Sequence, residues 1–95
     1  MGERKQRIDL LDIKILKTFY FKADWQTQLF YMEELCDLFR VEYHTLRHHL
    51  IKLEKMGLIT KGGTTYPVYW EPVLSEGVRR KAEKIFTQYA KEVLK

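Results

Sequence analysis

The chain has 95 residues, of which 45% are hydrophobic and 32% are charged, and its formal net charge is +4. A chain of this length forms one domain with a single modest core, and this composition is typical of a folded globular protein. No apolar run reaches the roughly 20 residues that a membrane-spanning helix needs, and residues 1–7 lack the apolar segment of a secretory signal. The single cysteine, Cys36, cannot form an internal disulfide. We therefore expect an intracellular, cytoplasmic protein that does not bind membranes.

Positive charge is unevenly distributed along the chain. Residues 1–7 carry +2, residues 8–74 carry −1 and residues 75–95 carry +3. Residues 43–63 alone carry +3, from Arg47, Lys52, Lys55 and Lys61 against Glu54. Such gathering of charge is typical of a protein that binds a polyanion, although each lysine taken singly is also consistent with an ordinary solvated side chain.

The first predicted helix runs from about Asp9 to residue 22 or 23. Asp9 can accept a hydrogen bond from an unpaired backbone N–H at the helix start, and Asp12 adds a favourable charge in the first turn. The apolar residues form two stripes, Ile8, Leu11, Ile15 and Phe19, and Leu10, Ile13, Leu16 and Tyr20. One stripe suffices for packing on a small core, so the second predicts a further partner. Residues 24–31 follow as a loop that ends in a short extended piece.

Two more helices with a short turn between them come next. Residues 32–39 predict a helix with Leu35, Leu38 and Phe39 facing inward, and residues 40–42 form the turn. The third helix runs from about Tyr43 to Met56, with Gly57 as a left-handed cap. Its apolar stripe is Leu46, Leu50, Leu53 and Met56, and its other face carries long hydrogen-bond donors. A helix with an apolar back and a donor-rich front fits a DNA major groove, where guanine offers two acceptors and phosphates lie on both sides.

A hairpin and a last helix complete the chain. Residues 58–61 and 66–70 predict two strands around a glycine-rich tip, Gly62-Gly63-Thr64-Thr65. Pro67 cannot donate to a strand ladder, so the second strand should have a free edge there. Ser75 is expected to cap a helix over residues 76–94, whose apolar stripe is Val78, Ala82, Ile85, Phe86, Tyr89 and Val93. That helix would be roughly 28 Å long, which is longer than such a core can cover.

The predicted order is helix, short strand, helix, turn, helix, hairpin, helix. It indicates a mainly α fold with a small β-hairpin, the winged helix-turn-helix plan with a long C-terminal helix. From Glu34 to about Gly63 the sequence resembles the helix-turn-helix of the ArsR- and MarR-type bacterial and archaeal regulators. Val73-Leu74-Ser75-Glu76-Gly77 is similar to the entry to the last helix in MarR- and PadR-like proteins. We divide the chain into a basic tail (1–7), a winged helix-turn-helix domain (8–74) and a dimerisation helix (75–95).

The resemblance implies a homodimer that binds a two-fold symmetric site in double-stranded DNA and regulates transcription in a bacterium, an archaeon or one of their mobile elements. The sequence departs from that pattern at two positions. Arg40 stands where glycine usually forms the turn, and Glu42 stands where serine or threonine usually caps the third helix. Arginine can adopt a left-handed conformation at some cost, but Glu42 near the groove would repel phosphate.

Candidate DNA contacts lie at the start of the third helix and in the wing, the hairpin that follows it. The first two turns of a recognition helix enter the groove deepest, and Arg47 could bind a guanine with two hydrogen bonds. His49 lies beside the apolar stripe, where we expect a structural role. The predicted DNA-contacting residues are Tyr43, His44, Thr45, Arg47, His48, Lys52, Lys55, Lys61, Gly62, Gly63 and Thr64. The hairpin could equally be a bare turn.

The dimer interface is predicted on the first and last helices, because either unpaired stripe would leave a large apolar patch in water. Its predicted residues are Leu11, Ile15, Phe19, Ile85, Phe86, Tyr89 and Val93. Two rival functions stay open: a module that uses the wing or third helix to bind a protein, and a binder of RNA or single strands that stacks bases on its aromatic residues. We expect those aromatic residues, Trp25, Phe30, Tyr31, Tyr66, Tyr69 and Trp70, to be core or strand residues.

Neither a metal site nor catalysis is predicted. His44 and His48 are spaced i, i+4 and could share a metal with Cys36, but two such histidines without a carboxylate or a second cysteine are usually not a site. Cys36 is best interpreted as a small buried apolar residue, and a redox-reactive thiol is the alternative. No catalytic triad, phosphate-binding glycine loop or zinc-hydrolase spacing is present in the sequence. We therefore expect a binding protein without a cofactor and not an enzyme.

Overall fold

The computed structural model describes residues 8–63 and 67–93, with only the backbone at 92 and 93, so the basic tail predicted at 1–7 lies outside it. Four helices and a three-stranded antiparallel sheet alternate along the chain. The elements are α1 (Leu10–Tyr20), a 3₁₀ turn (Trp25–Thr27), β1 (Phe30–Tyr31), α2 (Met32–Phe39), α3 (Tyr43–Lys55), β2 (Ile59–Gly62), β3 (Tyr69–Pro72) and α4 (Glu76–Val93). This is the winged-helix architecture that the sequence predicts.

Helix α1 begins at the predicted cap. The Asp12 N–H donates to Asp9 Oδ1 at 3.2 Å, and the Asp9 N–H donates back to Asp12 Oδ2 at 3.0 Å, so the two aspartates form a reciprocal capping box. The helix ends at Tyr20, slightly earlier than expected, with the Phe21 N–H bonded to the Lys17 carbonyl.

The C-terminal parts of both apolar stripes of α1 are buried within the one chain, whereas Leu10 at the start of the second stripe is 52% exposed. Ile15 and Phe19 of the first stripe and Leu16 and Tyr20 of the second are fully buried. Helix α1 packs against α3 and also against α4. Ile13, Leu16 and Tyr20 of the second stripe therefore have their packing partners in the same molecule.

The helix-turn-helix has the predicted bounds, with one correction in its packing. Leu35 is buried as expected, but Leu38 is 57% exposed instead of facing inward. Arg40 ends α2 at φ 54°, the left-handed conformation that the turn requires in place of the usual glycine. Gly57 follows α3 at φ 76°, also left-handed, as its predicted role as a cap requires.

The sheet differs from a simple hairpin because β1 joins it. Strand order is β1-β3-β2, so β3 is central and pairs on both sides. Its register places Trp70 opposite both Phe30 of β1 and Lys61 of β2. The predicted second strand began too early: Pro67 lies outside β3, which instead ends at Pro72. A proline at the end of a strand costs no interior ladder bond.

The wing is attached to α1 by one buried hydroxyl. Tyr20 donates from its O–H to the Leu58 carbonyl at 2.7 Å and accepts from the Val73 N–H at 2.7 Å. Leu58 precedes β2 and Val73 follows β3, so the tyrosine fixes both ends of the hairpin to the core. Burial raises the pKa of Tyr20, and the bond from Val73 lowers it by less.

Helix α4 covers the α1 side of the core. The Val78 N–H approaches Ser75 Oγ at 3.4 Å at its start, as the predicted serine cap requires. Ala82 is fully buried, and the Phe86 ring meets the edge of the Phe21 ring at a centroid distance of 5.0 Å. No helix in the part of the chain that the structure describes is both long and apolar enough to span a bilayer.

Candidate nucleic-acid interface

The outer face of α3 is exposed and rests on a fully buried back. Leu46, Leu50 and Leu53 have no exposed surface and anchor the helix in the core. The predicted contact residues on the first turns are all solvent-exposed: Tyr43, His44, Thr45, Arg47 and His48. Tyr43 has 52% of its surface exposed and meets His44 edge to face, with 6.0 Å between the ring centres. The structure thus presents one guanidinium, two imidazoles, a phenol and a hydroxyl on one helical surface.

Glu42 forms the start of this helix. Its side chain makes no capping hydrogen bond, and its backbone carbonyl accepts from the Leu46 N–H at 3.0 Å. The exposed Glu42 carboxylate therefore lies at the N-terminal end of α3, where a helix has partial positive charge.

Lys52 differs from its predicted place on that outer face. Its Nζ lies 2.5 Å from Oδ2 of Asp12, and its side chain is only 15% exposed. The ammonium is therefore neutralised from within the fold. This position is unlike the exposed ones of Lys55 and Lys61, which keep the placement that phosphate contact needs.

His49 has the structural position that the sequence predicts. Its Nδ1 lies 2.8 Å from Oδ1 of Asp12, so the imidazole donates a hydrogen bond to that carboxylate. Asp12 is fully buried and receives His49 on one oxygen and both Lys52 and the Asp9 N–H on the other. A buried carboxylate held by several donors links α1 to the inner side of α3.

The neighbouring Asp9 is more exposed and responds to the same charges. Burial raises the pKa of Asp9, but the hydrogen bond from the Asp12 N–H and the charges of His49 and Lys52 outweigh it and hold the pKa below its ordinary value. Asp9 is thus ionised at neutral pH, and its Oδ1 lies 3.5 Å from His49 Nδ1.

Asp9, Asp12 and His49 are also residues of metal-binding types, with one ligand atom from each within 4.8 Å of the others. The donor set does not fit a cation, because the Lys52 ammonium already occupies one Asp12 oxygen and the proton-bearing Nδ1 of His49 occupies the other. His44, His48 and Cys36, which the sequence suggested as a weak metal set, do not form such a group within residues 8–63 and 67–93. Burial, followed by the charges of Asp37 and Glu33, raises the pKa of the Cys36 thiol. That shift is the opposite of what a reactive cysteine needs.

The wing has Lys61 in a strand as predicted, but Gly62, which is predicted in the tip, is the last residue of β2 and pairs with Tyr69, so of the two glycines only Gly63 follows the strand. Lys61 is exposed in β2, and Gly63 has φ 80°, a conformation that other residues adopt at a cost. At Gly62 a side chain would overlap the Tyr69 ring, so its contact with Tyr69 by itself accounts for a glycine there. Thr64 lies outside the described residues.

The predicted dimer residues fall into two groups. Ile15 and Phe19 belong to the core of the monomer and are unavailable at its surface, which corrects their assignment to the interface. The remaining described residues are half-buried along α1 and α4: Leu11, Ile85, Phe86 and Tyr89. The side chain of Val93 lies outside the description.

Most of the described aromatic residues have core or strand positions. Trp25 and Trp70 are buried, and Tyr31 contacts Tyr69 edge to face across the β1–β3 pair, with ring centres 6.1 Å apart. The buried Trp70 Nε1 has no hydrogen-bond partner among the described residues. Tyr66 lies outside them. These positions match the expectation of core and sheet roles.

Sequence reasoning missed two residues that hold the interface together. Asp12 was interpreted only as a favourable charge for α1, and Tyr20 only as an apolar residue. The capping spacing of Asp9 and Asp12 was visible, but the partners of Asp12 on α3 lie 37 and more residues away in the sequence. No local pattern reports such a contact.

Solved structures that are similar to this chain include two of known source. A mutant of ZitR from Lactococcus lactis aligns with a TM-score of 0.62 and 16% identity over 98% of this chain. This chain spans only 62% of the length of that ZitR chain. A protein described as a possible transcriptional regulator from Methanosarcina mazei Go1 aligns with a TM-score of 0.63 and 13% identity, covering 90% of this chain and 73% of the other. No protein-family model and no curated protein sequence matches the chain. At these identities the likeness shows the winged-helix fold.

Proposed function

We propose that this chain is a transcriptional regulator that binds double-stranded DNA sequence-specifically, as a homodimer, with α3 in the major groove. The observation that carries the proposal is the exposed face of α3, on which Arg47 and His48 point away from three fully buried leucines. The helix is thereby held rigidly while its polar side chains stay available. The similarity of the fold to a described regulator supports the same function.

Within this proposal, the residues of α3 and of the wing have different tasks. Arg47 donates two hydrogen bonds to a guanine, and Tyr43, His44, Thr45 and His48 contact bases or phosphates around it. Lys55 and Lys61 bind phosphates, and the backbone at Gly62 and Gly63, with Thr64, approaches the minor groove. Lys52 supports α3 from behind through Asp12 and contributes little directly.

Dimerisation would place two copies of α3 about one DNA turn, or roughly 34 Å, apart. The half-buried side chains of Leu11, Ile85, Phe86 and Tyr89 are the proposed contacts between protomers, together with Val93. Residues 75–95 then form the dimerisation helix and residues 8–74 the DNA-binding domain. Converting Tyr89 to Lys would give a monomer in sedimentation, whereas an unchanged dimer would place the interface elsewhere.

The salt dependence of binding tests the electrostatic part of the proposal. Lys55 and Lys61 are the exposed cations assigned to phosphates, so we count about two phosphates for each protomer and expect a slope of log affinity against log salt near −4 for the dimer. Lys52 is left out of this count because Asp12 neutralises it. Affinity that does not change with salt would contradict the proposal.

The decisive experiment is selection of bound sites from random duplex DNA. We expect an enriched, two-fold symmetric site whose half-sites are spaced by one helical turn. Competition with single-stranded DNA and with RNA tests the rival in which Tyr31 and Tyr69 stack on bases, and duplex should compete best. A protein that is not retained by duplex DNA at low salt would instead favour the rival in which α3 binds another protein.

A further inference from the structure

A second basic surface lies away from the recognition helix. Helix α1 and the end of α2 enclose an open groove of about 410 Å³. We refer to it as the α1–α2 groove. The residues that line it are Lys14, Lys17, Thr18, Leu38, Phe39 and Arg40. Nothing in the proposed DNA-binding function uses them.

The three cations of this groove are not neutralised by the fold. Lys14, Lys17 and Arg40 are all exposed, and within residues 8–63 and 67–93 no carboxylate lies within ion-pair distance of them. Two other cations among the described residues do have an acidic neighbour: Lys52 binds Asp12, and Arg79 lies 3.7 Å from Glu83. The α1–α2 groove is therefore a concentrated patch of unpaired positive charge.

An exposed leucine lies in the middle of this charge. Leu38 was expected to face inward by helical periodicity, yet 57% of its surface is in contact with solvent. Phe39 beside it is half-buried and adds apolar surface. An apolar side chain surrounded by cations is of little use to a phosphate backbone, but it suits a protein segment that brings both carboxylates and an apolar residue.

The position of the groove also separates it from the proposed DNA-binding face. Helix α1 packs on the inner side of α3, where Asp12 holds His49 and Lys52. Arg47 and His48 leave α3 on its outer side. A duplex that occupies the outer side of α3 therefore leaves the α1–α2 groove accessible.

We propose that the α1–α2 groove is a docking site for an acidic amphipathic segment of a partner protein. The carboxylates of the segment pair with Lys14, Lys17 and Arg40, and one of its apolar side chains packs on Leu38. Exposed ion pairs contribute modestly and the leucine adds burial, so binding is weak, salt-sensitive and compatible with simultaneous DNA binding. Peptide docking itself does not depend on the proposed function; only its compatibility with DNA binding rests on that function.

The test uses the whole chain and a fluorescent helical peptide that presents one leucine flanked by glutamates on the same face. Lys14→Gln combined with Lys17→Gln should weaken peptide affinity by about fivefold to tenfold. Leu38→Ser should weaken it by about tenfold. Lys84→Gln combined with Lys91→Gln removes the same charge from exposed positions of α4, and Leu74→Ser removes a leucine that is 67% exposed elsewhere; both should leave affinity unchanged.

Duplex DNA binding, measured on the same variants, separates the outcomes. We expect the groove variants to keep wild-type affinity for duplex DNA while they lose the peptide. If the α4 control lost as much peptide affinity as the variant with Lys14→Gln and Lys17→Gln, the proposal would be overturned, because the peptide would then be attracted by the net charge of the protein. It would also be overturned if Leu38→Ser had no effect, or if the groove variants lost duplex DNA instead, since the groove would then be a further phosphate contact.

Discussion

The carboxylate of Asp12, in the first turn of α1, is fully buried and lies 2.5 Å from the Lys52 ammonium of α3. Its second oxygen is 2.8 Å from His49 Nδ1. The contacts of Asp12 with Lys52 and His49 join α1, which packs on α4, to α3, which carries the candidate DNA contacts. The orientation of α3 therefore depends on one internal charge as well as on its leucines.

Asp12→Asn should destabilise the protein by about 3 kcal/mol, because it removes the buried carboxylate charge that contacts both the Lys52 ammonium and His49. Urea unfolding measures the difference. Asp24→Asn is the matched control, since the side chain of Asp24 is exposed and makes no capping hydrogen bond. The double variant Asp12→Asn with Lys52→Met should be more stable than Asp12→Asn alone, because the mostly buried ammonium that Asp12 stabilises is then absent as well. If Asp12→Asn behaves like Asp24→Asn, the buried pair contributes nothing to stability.

Tyr20→Phe should cost about 2 kcal/mol, because the Leu58 carbonyl and the Val73 N–H both lose their partner in a buried place. Thermal or urea unfolding provides the measurement, with Tyr43→Phe at an exposed position as the control. A loss no larger than that of Tyr43→Phe would mean that water replaces the hydroxyl.

The raised pKa of the Tyr20 hydroxyl predicts how the stability of the protein responds to alkaline pH. Burial raises the pKa of Tyr20 in the folded protein above its unfolded value of 10.0. The stabilisation from its hydrogen bonds is therefore fully present below pH 10.0 and is lost as pH rises through the folded pKa. Wild-type protein and the Tyr43→Phe variant should lose stability more steeply in this range than Tyr20→Phe does. Parallel pH profiles for Tyr20→Phe and wild type would contradict the assignment.

The sequence predicted the helices well because their ends carry chemical signals. Asp9, Gly57 and Ser75 each mark a helix end, and the leucines of α3 repeat at helical spacing. The exposed face of α3 followed from the same periodicity, since residues between buried leucines point outward. Local chemistry was sufficient for these features.

Tertiary contacts decided the features that the sequence could not predict. Ile13, Leu16 and Tyr20 of the second stripe of α1 are buried within the monomer, in which α1 packs against both α3 and α4. Lys52 lies on the inner side of α3 because it pairs with Asp12, 40 positions earlier in the sequence. Strand β3 is central in the sheet because β1 pairs with it as well as β2. A period of 3.6 residues identifies an apolar face but does not identify which element covers it.

Two left-handed positions should respond oppositely to substitution. Gly57 has φ 76° with open space around it, so Gly57→Ala should cost about 1 kcal/mol through the backbone alone. Arg40 has φ 54°, so Arg40→Gly should relieve strain and stabilise the protein by about 0.5 kcal/mol. Chemical denaturation of the two variants measures both effects. Destabilisation by Arg40→Gly would show that the arginine side chain contributes more than its conformation costs.

Arg47 and Lys55 should separate base recognition from phosphate contact. Both side chains are exposed on α3, but Arg47 lies in its second turn and Lys55 is its last residue. Arg47→Ala should cost about 1–3 kcal/mol on the selected duplex site and far less on random duplex, because it removes two hydrogen bonds to a guanine. Lys55→Ala should weaken binding to both duplexes alike and reduce the magnitude of the salt slope by about 1 per protomer, since it removes one phosphate contact. Mobility shifts on the two duplexes over a range of salt give both quantities. Equal losses on both duplexes for Arg47→Ala would assign Arg47 to the phosphates, and recognition would then rest on Tyr43, His44, Thr45 and His48.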